Sequence, residues 1–466
     1  MIRINITIAL FLISILSAQA LDITGVVLDD NGNPLVDVNI ISDSVGTISD
    51  EDGVFRIRLL PGQSLHFSHI GYQSQSIMPE SLHVVVVLKR QVLETLPITV
   101  EANRAITGVT PVAFSTLTEE EINRNYSVQD IPMVLAGEPG IYAYSESGSG
   151  TGYSYVSIRG FDQSRIAVII DNVPLNDNES HQVYWVDHGD LLSNAKDVQI
   201  QRGIGNSLYG ASAFGGSINV QTRIASEEES ITMKSGFGSF GTYKFSSSYH
   251  SGLRFGPSAS FTARLSQIKS DGYREFHNSL QRSAFFGLER RTRQWLHQVR
   301  INLGYENTRL VWDGVSETDL ADREARRKSY QGYTDDFLQQ IYSWNATWTP
   351  SSAFKFANTI YIVKGAGYYE VEKFGVDWYS YGLDVLDSYP DSVELSLTTD
   401  LLRRKWIVNQ YTGWTPTMTK KLKNGRLDVG LELRLYTGDH FGEVSHFSAP
   451  ALEHYFGGTW YRYYRY

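Results

Sequence analysis

Apolar and polar residues alternate along several segments in the second half of the chain. In the segment 259–266, Ala, Phe, Ala and Leu occupy one set of alternate positions, and Ser, Thr, Arg and Ser occupy the other. The segments 299–306 and 427–436 repeat this pattern, the latter just after a predicted hairpin turn at Asn424-Gly425. A period of two predicts β-strands with one apolar and one polar face. A soluble sandwich and a membrane-spanning barrel both fit such strands, so the alternation alone leaves these two folds open.

The region 21–90 contains short β-prone stretches separated by turn-forming residues. Asp-Asn-Gly-Asn-Pro at 30–34 and Asp-Glu-Asp-Gly at 50–53 favour turns, because Asn, Asp and Gly tolerate positive φ and Pro fixes φ. Val and Ile recur in the stretches 36–40 and 84–88, as expected of strands. We therefore expect a small antiparallel β-sandwich over residues 21–90. The acidic turns lack the twelve-residue spacing of a calcium loop, so we interpret them as plain turns.

The first twenty residues have the composition of a secretory signal peptide. Arg3 precedes a largely apolar run over 6–16, and Ala18-Gln19-Ala20 has the small-x-small pattern of a cleavage site. The apolar run is too short to span a bilayer, and a buried N-terminal helix is the alternative interpretation. We therefore predict that residues 1–20 direct export, and that the mature protein enters a membrane only through a barrel.

Composition argues against several classes of protein. The chain of 466 residues contains no Cys, which leaves neither a disulfide scaffold nor a thiolate metal site. Its 41 Lys and Arg against 51 Asp and Glu give a net charge of −10, opposite to the basic surface of a nucleic-acid-binding protein. Aromatic residues make up 12% of the chain, with 28 Tyr, and this content suits the aromatic girdles of a membrane barrel.

The segment 94–104 combines strand propensity with a proline. Ile-Thr-Val at 98–100 is β-prone, and Pro97 before it lacks the N–H that pairing within a local sheet requires. Such a segment can add as an extra strand to the sheet edge of a partner, although an ordinary linker has the same composition.

The region 105–225 predicts a compact domain with buried strands. The apolar runs at 166–170 and 218–220 indicate those strands, and the glycines around them permit tight turns. We expect Arg159 and Arg202 to pair with carboxylates where this domain meets the barrel.

Three consecutive regions resemble parts of TonB-dependent outer-membrane receptors. Region 21–90 resembles the carboxypeptidase regulatory-like module, whose name does not imply peptidase activity. Segment 94–104 resembles a TonB box, and region 105–225 resembles the receptor plug domain. The module-like residues are 25–27, 32–35, 46–47, 52–55 and 70–72, and the plug-like residues are 156–161, 166–177, 198–203, 207–210 and 213–220.

This resemblance implies a mainly β fold with three parts: the small N-terminal β-sandwich, an α+β plug domain, and an antiparallel transmembrane β-barrel over 229–466. It implies a location in the outer membrane, surrounded by its lipid, with the sandwich and the box in the periplasm. It also implies a partner, TonB with its inner-membrane energising complex, bound by Thr95, Leu96, Pro97, Ile98, Thr99 and Val100. The protein would be a transporter rather than an enzyme, and we expect no catalytic residue, cofactor, resident metal or nucleic-acid partner.

The strand count is low for a barrel that holds a plug. Residues 229–466 provide about ten strands, whereas barrels that enclose a plug have roughly 22. We therefore expect the chain to contain only the N-terminal part of its barrel. The long polar insert 313–335 would lie outside the cell, because such barrels have short periplasmic turns and long extracellular loops.

The resemblance favours a small iron complex (a ferric siderophore or a relative), heme or cobalamin as the imported ligand. Receptors of the SusC type continue their module with Gly-Tyr-Gly and carry Arg-Gly-Ala-Asn-Gly-Val late in the plug. This chain instead has Leu-Lys-Arg-Gln at 88–91 and Gly-Ala-Ser-Ala-Phe-Gly-Gly at 210–216. The sequences at 312–315 and 365–370 are also similar to iron-complex receptors. SusC-like glycan import stays open as the alternative, as does a non-energised adhesin or pore, which would need neither box nor plug.

Two polar stretches rich in aromatic residues predict ligand contacts on the outward tip of the plug. The stretch 142–155 is rich in Tyr, Ser and Gly, and 181–185 places aromatic and imidazole groups in a polar loop. Packing of these side chains against the inner barrel wall is the alternative. The candidate substrate-binding residues are Tyr144, Tyr153, His181, Tyr184 and Trp185.

Overall fold

The computed structural model divides the chain into two compact units, Met1–Thr99 and Val100–Tyr466. The predicted signal peptide up to residue 19, the predicted TonB-binding residues 95–100 and the plug-like residues 207–210 lie outside the described residues. Within the described part, no helix has both the length and the apolar character needed to cross a membrane. The described residues are 20–29, 32–42, 45–69, 72–89, 104–105, 107–108, 110–203, 214–224, 226, 228–252, 259–292, 294–329, 333–381, 398–447 and 459–466.

The first unit is a β-sandwich of two sheets, with strand orders β4-β1-β7 and β3-β2-β5-β6. Its core is apolar and draws on both sheets, and the rings of Phe55 and Phe67 meet edge to face at 5.4 Å. Gly25 is required in β1, because a Cβ there would lie 2.3 Å from the carbonyl oxygen of Val84. The strands are β1 (Leu21–Asp29), β2 (Asn39–Ser42), β3 (Val45–Ile48), β4 (Val54–Leu59), β5 (Leu65–Ser68), β6 (Gln75–Ile77) and β7 (His83–Leu88).

One pairing in the sandwich differs from the prediction of an antiparallel fold. The pairing of β1 with β7 is parallel, with Gly25 opposite Val84 and Leu28 opposite Val87. These two strands are the first and the last of the unit, so five strands lie between them. Parallel neighbours need such a long connection, whereas antiparallel neighbours can be joined by a tight turn.

The plug is an α+β domain built on a five-stranded sheet of order β12-β11-β14-β13-β8, with β9 and β10 as a separate hairpin. The predicted buried strands are β11, which is buried throughout, and β14. Thr118 and Glu121 form a capping box that starts α1. The elements are β8 (Ala113–Thr118), α1 (Glu119–Asn125), α2 (Ile131–Leu135), β9 (Ile141–Ser145), β10 (Ser154–Ile158), β11 (Ile166–Ile170), β12 (Val173–Pro174), β13 (Ala195–Arg202) and β14 (Gly216–Thr222).

The remaining strands form one antiparallel sheet of order β15-β16-β17-β18-β19-β20-β21-β22-β24-β25, and β23 pairs with another part of β22. The predicted strand over 427–436 is divided, since β23 ends at Gly430 and β24 begins at Leu433. The turn before it is Lys423-Asn424 rather than Asn424-Gly425, because Leu422 pairs with Gly425. The elements are β15 (Glu229–Phe237), β16 (Tyr243–Ser251), β17 (Ala259–Ser270), β18 (Asn278–Arg291), β19 (Trp295–Arg309), α3 (Arg323–Arg327), β20 (Tyr333–Ser351), β21 (Phe354–Asp377), β22 (Thr398–Leu422), β23 (Gly425–Gly430), β24 (Leu433–Phe447) and β25 (Thr459–Arg465).

In this sheet the polar face is covered and the apolar face is open. Along β17, Ser260, Thr262 and Arg264 are buried, whereas Leu265 is 68% exposed. The covered face lies against the plug, since Arg264 contacts Asp190 of that domain. A polar inner face and an apolar outer face are the pattern of strands whose outer face meets lipid, so the structure selects the membrane alternative.

The connections between strands differ in length at the two ends of the sheet. Very short turns, 292–294 and 352–353, join β18 to β19 and β20 to β21 at one end of the sheet. The long connections 310–332 and 378–397 lie at the opposite end. We call this second end the long-connection end.

Candidate ligand-binding site

The plug segment 185–194 lies directly on the inner face of the sheet. Gly304 of β19 makes this approach possible, because a Cβ there would lie 1.8 Å from the carbonyl oxygen of Asp187. Gly189 similarly lies against the side chain of Gln281 from β18. Glycine at position 304 therefore lets the plug backbone approach the strand more closely than any other residue would.

A buried charged cluster holds this segment in place. Asp190 pairs with Lys244 and with Arg264, whose Nη1 lies 2.8 Å from Oδ2, and all three side chains are at most 6% exposed. The hydroxyls of Tyr126 and Ser193 donate to Oδ1 of Asp190 at 2.9 and 2.6 Å. Although burial opposes ionisation, the positive charges of Arg264 and Lys244 hold the pKa of Asp190 well below its usual range.

A second buried cluster lies at the turn between β11 and β12. Asp171 and Asn172 have positive φ values of 49° and 71°, a conformation that Asp and Asn tolerate. The carboxylate of Asp171 accepts from the backbone N–H and the hydroxyl of Thr222 at 2.9 and 2.7 Å. Arg300 Nε of the sheet lies 3.2 Å from Asp171 Oδ2, and its Nη1 donates to Asn345 at 2.9 Å.

The prediction for Arg159 and Arg202 was wrong in its location. Arg202 lies 3.5 Å from the carboxylate of Glu138, which belongs to the plug itself, and it also donates to Ser115. Arg159 donates to the carbonyl oxygen of Arg202. At the described boundary the charges are reversed, because the plug supplies the carboxylates and the sheet supplies the cations.

A third contact joins the plug loop 176–182 to the last strands. Glu179 accepts from the Tyr436 hydroxyl, lies 2.7 Å from His440 Nε2, and pairs with Arg465 at 2.8 Å. Burial opposes ionisation, but the hydrogen bonds from Tyr436 and His440 hold the pKa of Glu179 below its usual value. This loop therefore presents a charged carboxylate to β24 and β25.

A cavity of about 710 Å³ lies between the plug and strands β20, β21, β22, β24 and β25. Its volume is in the range of small-molecule sites. The plug side includes Tyr153 and Tyr184, and the sheet side includes Tyr369 and Tyr411. Trp312, in the connection after β19, also lines it, so the cavity lies toward the long-connection end. Eleven of its 24 described lining residues are Tyr, Trp or Phe.

The five predicted contact residues differ in where they lie relative to the cavity. Tyr153 and Tyr184 line the cavity and meet edge to face at 6.3 Å. Tyr144 stacks at 5.1 Å on Tyr155, which lines the cavity, and His181 is exposed on the loop beside it. Trp185 is only 2% exposed within the plug core, and its Nε1 donates to Gln163 at 3.1 Å. The geometry of Trp185 therefore favours the packing role.

Buried carboxyl groups lie at the base of the cavity. Asp187 of the plug and Asp335 of β20 line it, and the Tyr153 hydroxyl donates to Asp335. Glu306 of β19 lies directly behind Asp335, which its carboxyl contacts. Burial, with the negative charges of Asp335 and Asp177, raises the pKa of Asp187 well above its usual value. Burial also lowers the pKa of His188 to about 4, so that imidazole is neutral.

Sequence reasoning missed the contribution of the sheet to this site. Tyr153 and Asp335 are 182 positions apart in the chain, and no local pattern connects them. The available signal was the similarity at 312–315 and 365–370, since these segments supply Trp312, Tyr368 and Tyr369 to the lining. Among the described residues, no group of three or more His, Cys, Asp or Glu side chains is arranged to hold a metal ion.

Comparisons with known proteins agree with this architecture. Residues 108–217 match the TonB-dependent Receptor Plug Domain, and residues 23–95 match the CarboxypepD_reg-like domain. TonB-dependent receptor P39 of Formosa agariphila is 26% identical over 226 residues, which are 46% of this chain and 20% of that protein. TonB-dependent receptor SusC of Bacteroides thetaiotaomicron is 23% identical over 218 residues, 44% of this chain and 21% of that protein.

The unliganded ferric citrate transporter FecA has the same fold, with a TM-score of 0.55 and 16% identity over 75% of this chain and 50% of that one. The chain thus spans about half the length of that receptor and about a fifth of the curated relatives above. The chain thus contains a TonB-dependent receptor plug domain preceded by a CarboxypepD_reg-like domain, and the relatives it matches are TonB-dependent receptors. That family consists of outer-membrane receptors and transporters, not enzymes.

Proposed function

We propose that the protein is an active outer-membrane importer that binds a small nutrient in the cavity and draws energy from TonB. TonB would pair with the β-prone segment Thr95, Leu96, Pro97, Ile98, Thr99 and Val100, extending its own sheet by one strand. The long-connection end faces the cell exterior in this proposal, so the ligand enters the cavity from outside.

The observation that carries the proposal is that the cavity has one wall on the plug and the other on the sheet. Tyr153 and Tyr184 belong to the first wall, and Tyr369 and Tyr411 belong to the second. Any displacement of the plug relative to the sheet therefore takes the site apart and releases what it holds. A pull on the plug through the segment 95–100 would supply that displacement.

Part of the contact between plug and sheet suits such a movement. Ion pairs and hydrogen bonds are centred on Asp171, Glu179 and Asp190, beside an apolar patch of the sheet, Ile341, Tyr361 and Val363, that packs with the plug core. Charged groups that lose a protein partner can be hydrated as water enters, whereas the apolar patch stays costly to separate. The polar contacts thus hold the plug specifically and still allow it to move.

We further propose a ferric siderophore or related iron complex, heme or cobalamin as the ligand, with glycan import as the alternative. The likeness to a ferric citrate transporter and the sequence departures at 88–91 and 210–216 support the first class. The similarity to SusC keeps the second one open. Tyr153 and Tyr184 would contact the ligand directly, with Tyr144 and His181 at the margin of the site.

The test of energy coupling uses the full receptor in living cells. Ile98→Pro or Val100→Pro removes a backbone donor from the added strand, so uptake should be lost while binding at the cell surface is retained. Ile98→Val is the matched control, because it keeps strand propensity and should keep uptake. Equal loss of binding and uptake would contradict coupling through this segment, and uptake that persists without TonB would indicate a pore.

The ligand class has its own test. Cells that rely on this receptor are offered labelled iron complexes, heme, cobalamin or a soluble glycan, and TonB-dependent accumulation of each is measured. We expect accumulation of an iron complex, heme or cobalamin. Accumulation of the glycan alone would overturn that assignment while leaving active import intact.

A further inference from the structure

The base of the cavity brings several carboxyl groups together. Asp187 and Asp335 line it, and both side chains are buried. Glu306 behind them is completely buried, and neither of its carboxyl oxygens has a hydrogen-bond donor in good geometry within the described part of the chain. Two or more carboxylates in a buried site cannot all stay ionised unless positive charge joins them.

Glu306 points toward this site rather than away from it. It lies on the same face of β19 as Gly304, which meets the Asp187 carbonyl, and as Thr308, which meets Gly152 of the plug. On the neighbouring strand, Asp335 pairs in register with Thr308, which places it diagonally across from Glu306. Three carboxyl groups from two strands and the plug therefore converge on one point.

The basic groups nearby are engaged elsewhere. His440 and Arg465 pair with Glu179, and Arg404 of β22 pairs with Glu370. Lys405, which lines the cavity, lies over the ring of Tyr369 at 5.8 Å. None of these contacts brings a cation to Asp187, Asp335 or Glu306.

Aromatic rings complete the surroundings of the carboxyl groups. Tyr153 and Tyr184 meet edge to face at 6.3 Å on the plug side, and Trp312 meets Tyr369 in the same way at 5.8 Å on the sheet side. Ring faces carry partial negative charge and attract cations, most effectively when the site is shielded from water. Rings together with carboxyl groups form the environment that recognises an alkylated ammonium group.

We propose that the base of this cavity is a subsite for an organic cation, occupied by an alkylammonium-type group of the transported ligand. This inference rests on the proposed function, because it specifies the ligand that the same cavity takes. The rings favour an organic cation over a metal ion, since a metal ion would need further oxygen or nitrogen ligands in their place. Among iron complexes and cobalamin-like ligands, the site selects those with a positively charged periphery and rejects strongly anionic ones.

The test compares three probes of the same shape but different charge. Choline is cationic, 3,3-dimethylbutan-1-ol is its neutral carbon analogue, and 3,3-dimethylbutanoate is anionic. Their affinities for the purified full receptor in detergent are measured by ligand-observed NMR titration. We expect choline to bind at least about tenfold more tightly than the alcohol, and the carboxylate to bind most weakly.

Two variants and a matched control test whether the preference for choline over the alcohol depends on the carboxyl groups at the base of the cavity. Asp335→Asn should weaken choline binding about tenfold and leave the alcohol unchanged, and Glu306→Gln should act in the same direction if the first variant fails to fold. Asp336→Asn is the control, because that neighbouring carboxylate accepts from Tyr305 and Asn307 at 2.8 Å and does not line the cavity.

Equal affinity for choline and the alcohol, a preference for the anion, absence of choline binding, or equal effects of Asp335→Asn and Asp336→Asn would each overturn the proposal. Failure of the proposed function is distinguishable, because it appears as loss of the difference between uptake and surface binding in the Pro variants of residues 98 and 100. That difference does not depend on the charge of the ligand.

Discussion

Strand β4 of the sandwich and strand β17 of the large sheet have the same alternating pattern but opposite interiors. In β4 the buried positions are Phe55, Ile57 and Leu59. In β17 five of the six buried positions are polar, Ile268 being the exception, and the apolar Leu265 is exposed. A period of two therefore defines the two faces of a strand, while the surroundings decide which face is covered. The first sheet lies in a sandwich with water outside, so its apolar residues point inward. The second sheet has a polar, plug-filled interior and lipid outside, so its apolar residues point outward.

The plug combines features of these two regions in the polarity of what it buries. Its own core is as apolar as that of the sandwich, with Ile158, Ile170 and Ile200 at most 1% exposed. Its boundary with the large sheet combines charged clusters around Asp190 and Asp171 with apolar packing of Ile341 and Val363. Buried ion pairs contribute less net stability than apolar packing but depend on having both partners. The plug is thus a stable domain whose position against the sheet depends on both kinds of contact.

The largest effect should come from removing one partner in that charged boundary. Asp190→Asn leaves Lys244 and Arg264 as buried, unpaired cations, and Asn keeps the tolerance for the positive φ of 56° at this position. Breaking a buried pair in this way costs about 3–5 kcal/mol. Urea unfolding of the full receptor, followed by Trp fluorescence, measures the free energy of unfolding.

The control is an exposed ion pair within the plug. Arg223 and Glu119 are 44% and 35% exposed, so Glu119→Gln should cost less than about 1 kcal/mol. Equal losses in the Asp190 and Glu119 variants would mean that burial does not set the strength of these ion pairs.

The second prediction tests which face of each sheet meets lipid. Leu265 in the middle of β17 is 68% exposed, and Val85 in β7 is 63% exposed. Leu265→Arg should cost about 2–4 kcal/mol in lipid vesicles, because it places a charge near the bilayer midplane. Val85→Arg should change stability by less than about 0.5 kcal/mol, because that side chain faces water. If both variants are equally mild, the outer face of the large sheet does not lie in lipid.

The sequence predicted the fold well where local patterns determine it. The turn at 50–53, the buried β11 and the alternating strands are all local features, and the plug and module motifs indicated the order of the domains. The parallel pairing of β1 with β7 was not predictable in this way, because it joins the two ends of the sandwich. The break between Gly430 and Leu433 was missed, since the alternation continues unbroken through it.

The binding site was predicted only in part, for the same reason. Tyr153 and Tyr184 line the cavity, but their neighbour Trp185 is turned into the plug core. An aromatic residue in a polar loop has the same appearance in sequence whichever way its ring points. Asp335 and Glu306 were missed, because each is one polar residue in an alternating strand and only the fold brings them to Asp187.

A buried carboxyl group offers a pH-dependent difference between the two units. Asp130 begins α2 of the plug, accepts from the Ser154 hydroxyl at 3.0 Å, and burial raises its pKa to about 7. In the sandwich, by contrast, the exposed carboxylate of Asp22 has a lowered pKa, because Arg58 donates hydrogen bonds to it. Folding therefore favours proton uptake at Asp130 and proton release at Asp22, so the two groups change stability with pH in opposite directions.

The smallest predicted effect follows from Asp130. Its pKa is higher in the folded plug than in the unfolded chain, so the folded state holds the extra proton between about pH 4 and pH 7. The free energy of unfolding of the plug should therefore fall as pH rises through this window and level off above it. Asp130→Asn removes the titrating group and should flatten that slope. Above pH 7 the variant plug should be more stable than the parent by roughly 1–3 kcal/mol, which is less than the full pKa shift would give, because local rearrangement and water entry reduce the effect.

Urea unfolding between pH 4 and pH 8 measures the slope, with Asp22→Asn as the control that leaves the plug transition unchanged. A parent slope that survives in the Asp130 variant would assign the pH dependence to another carboxyl group at the boundary.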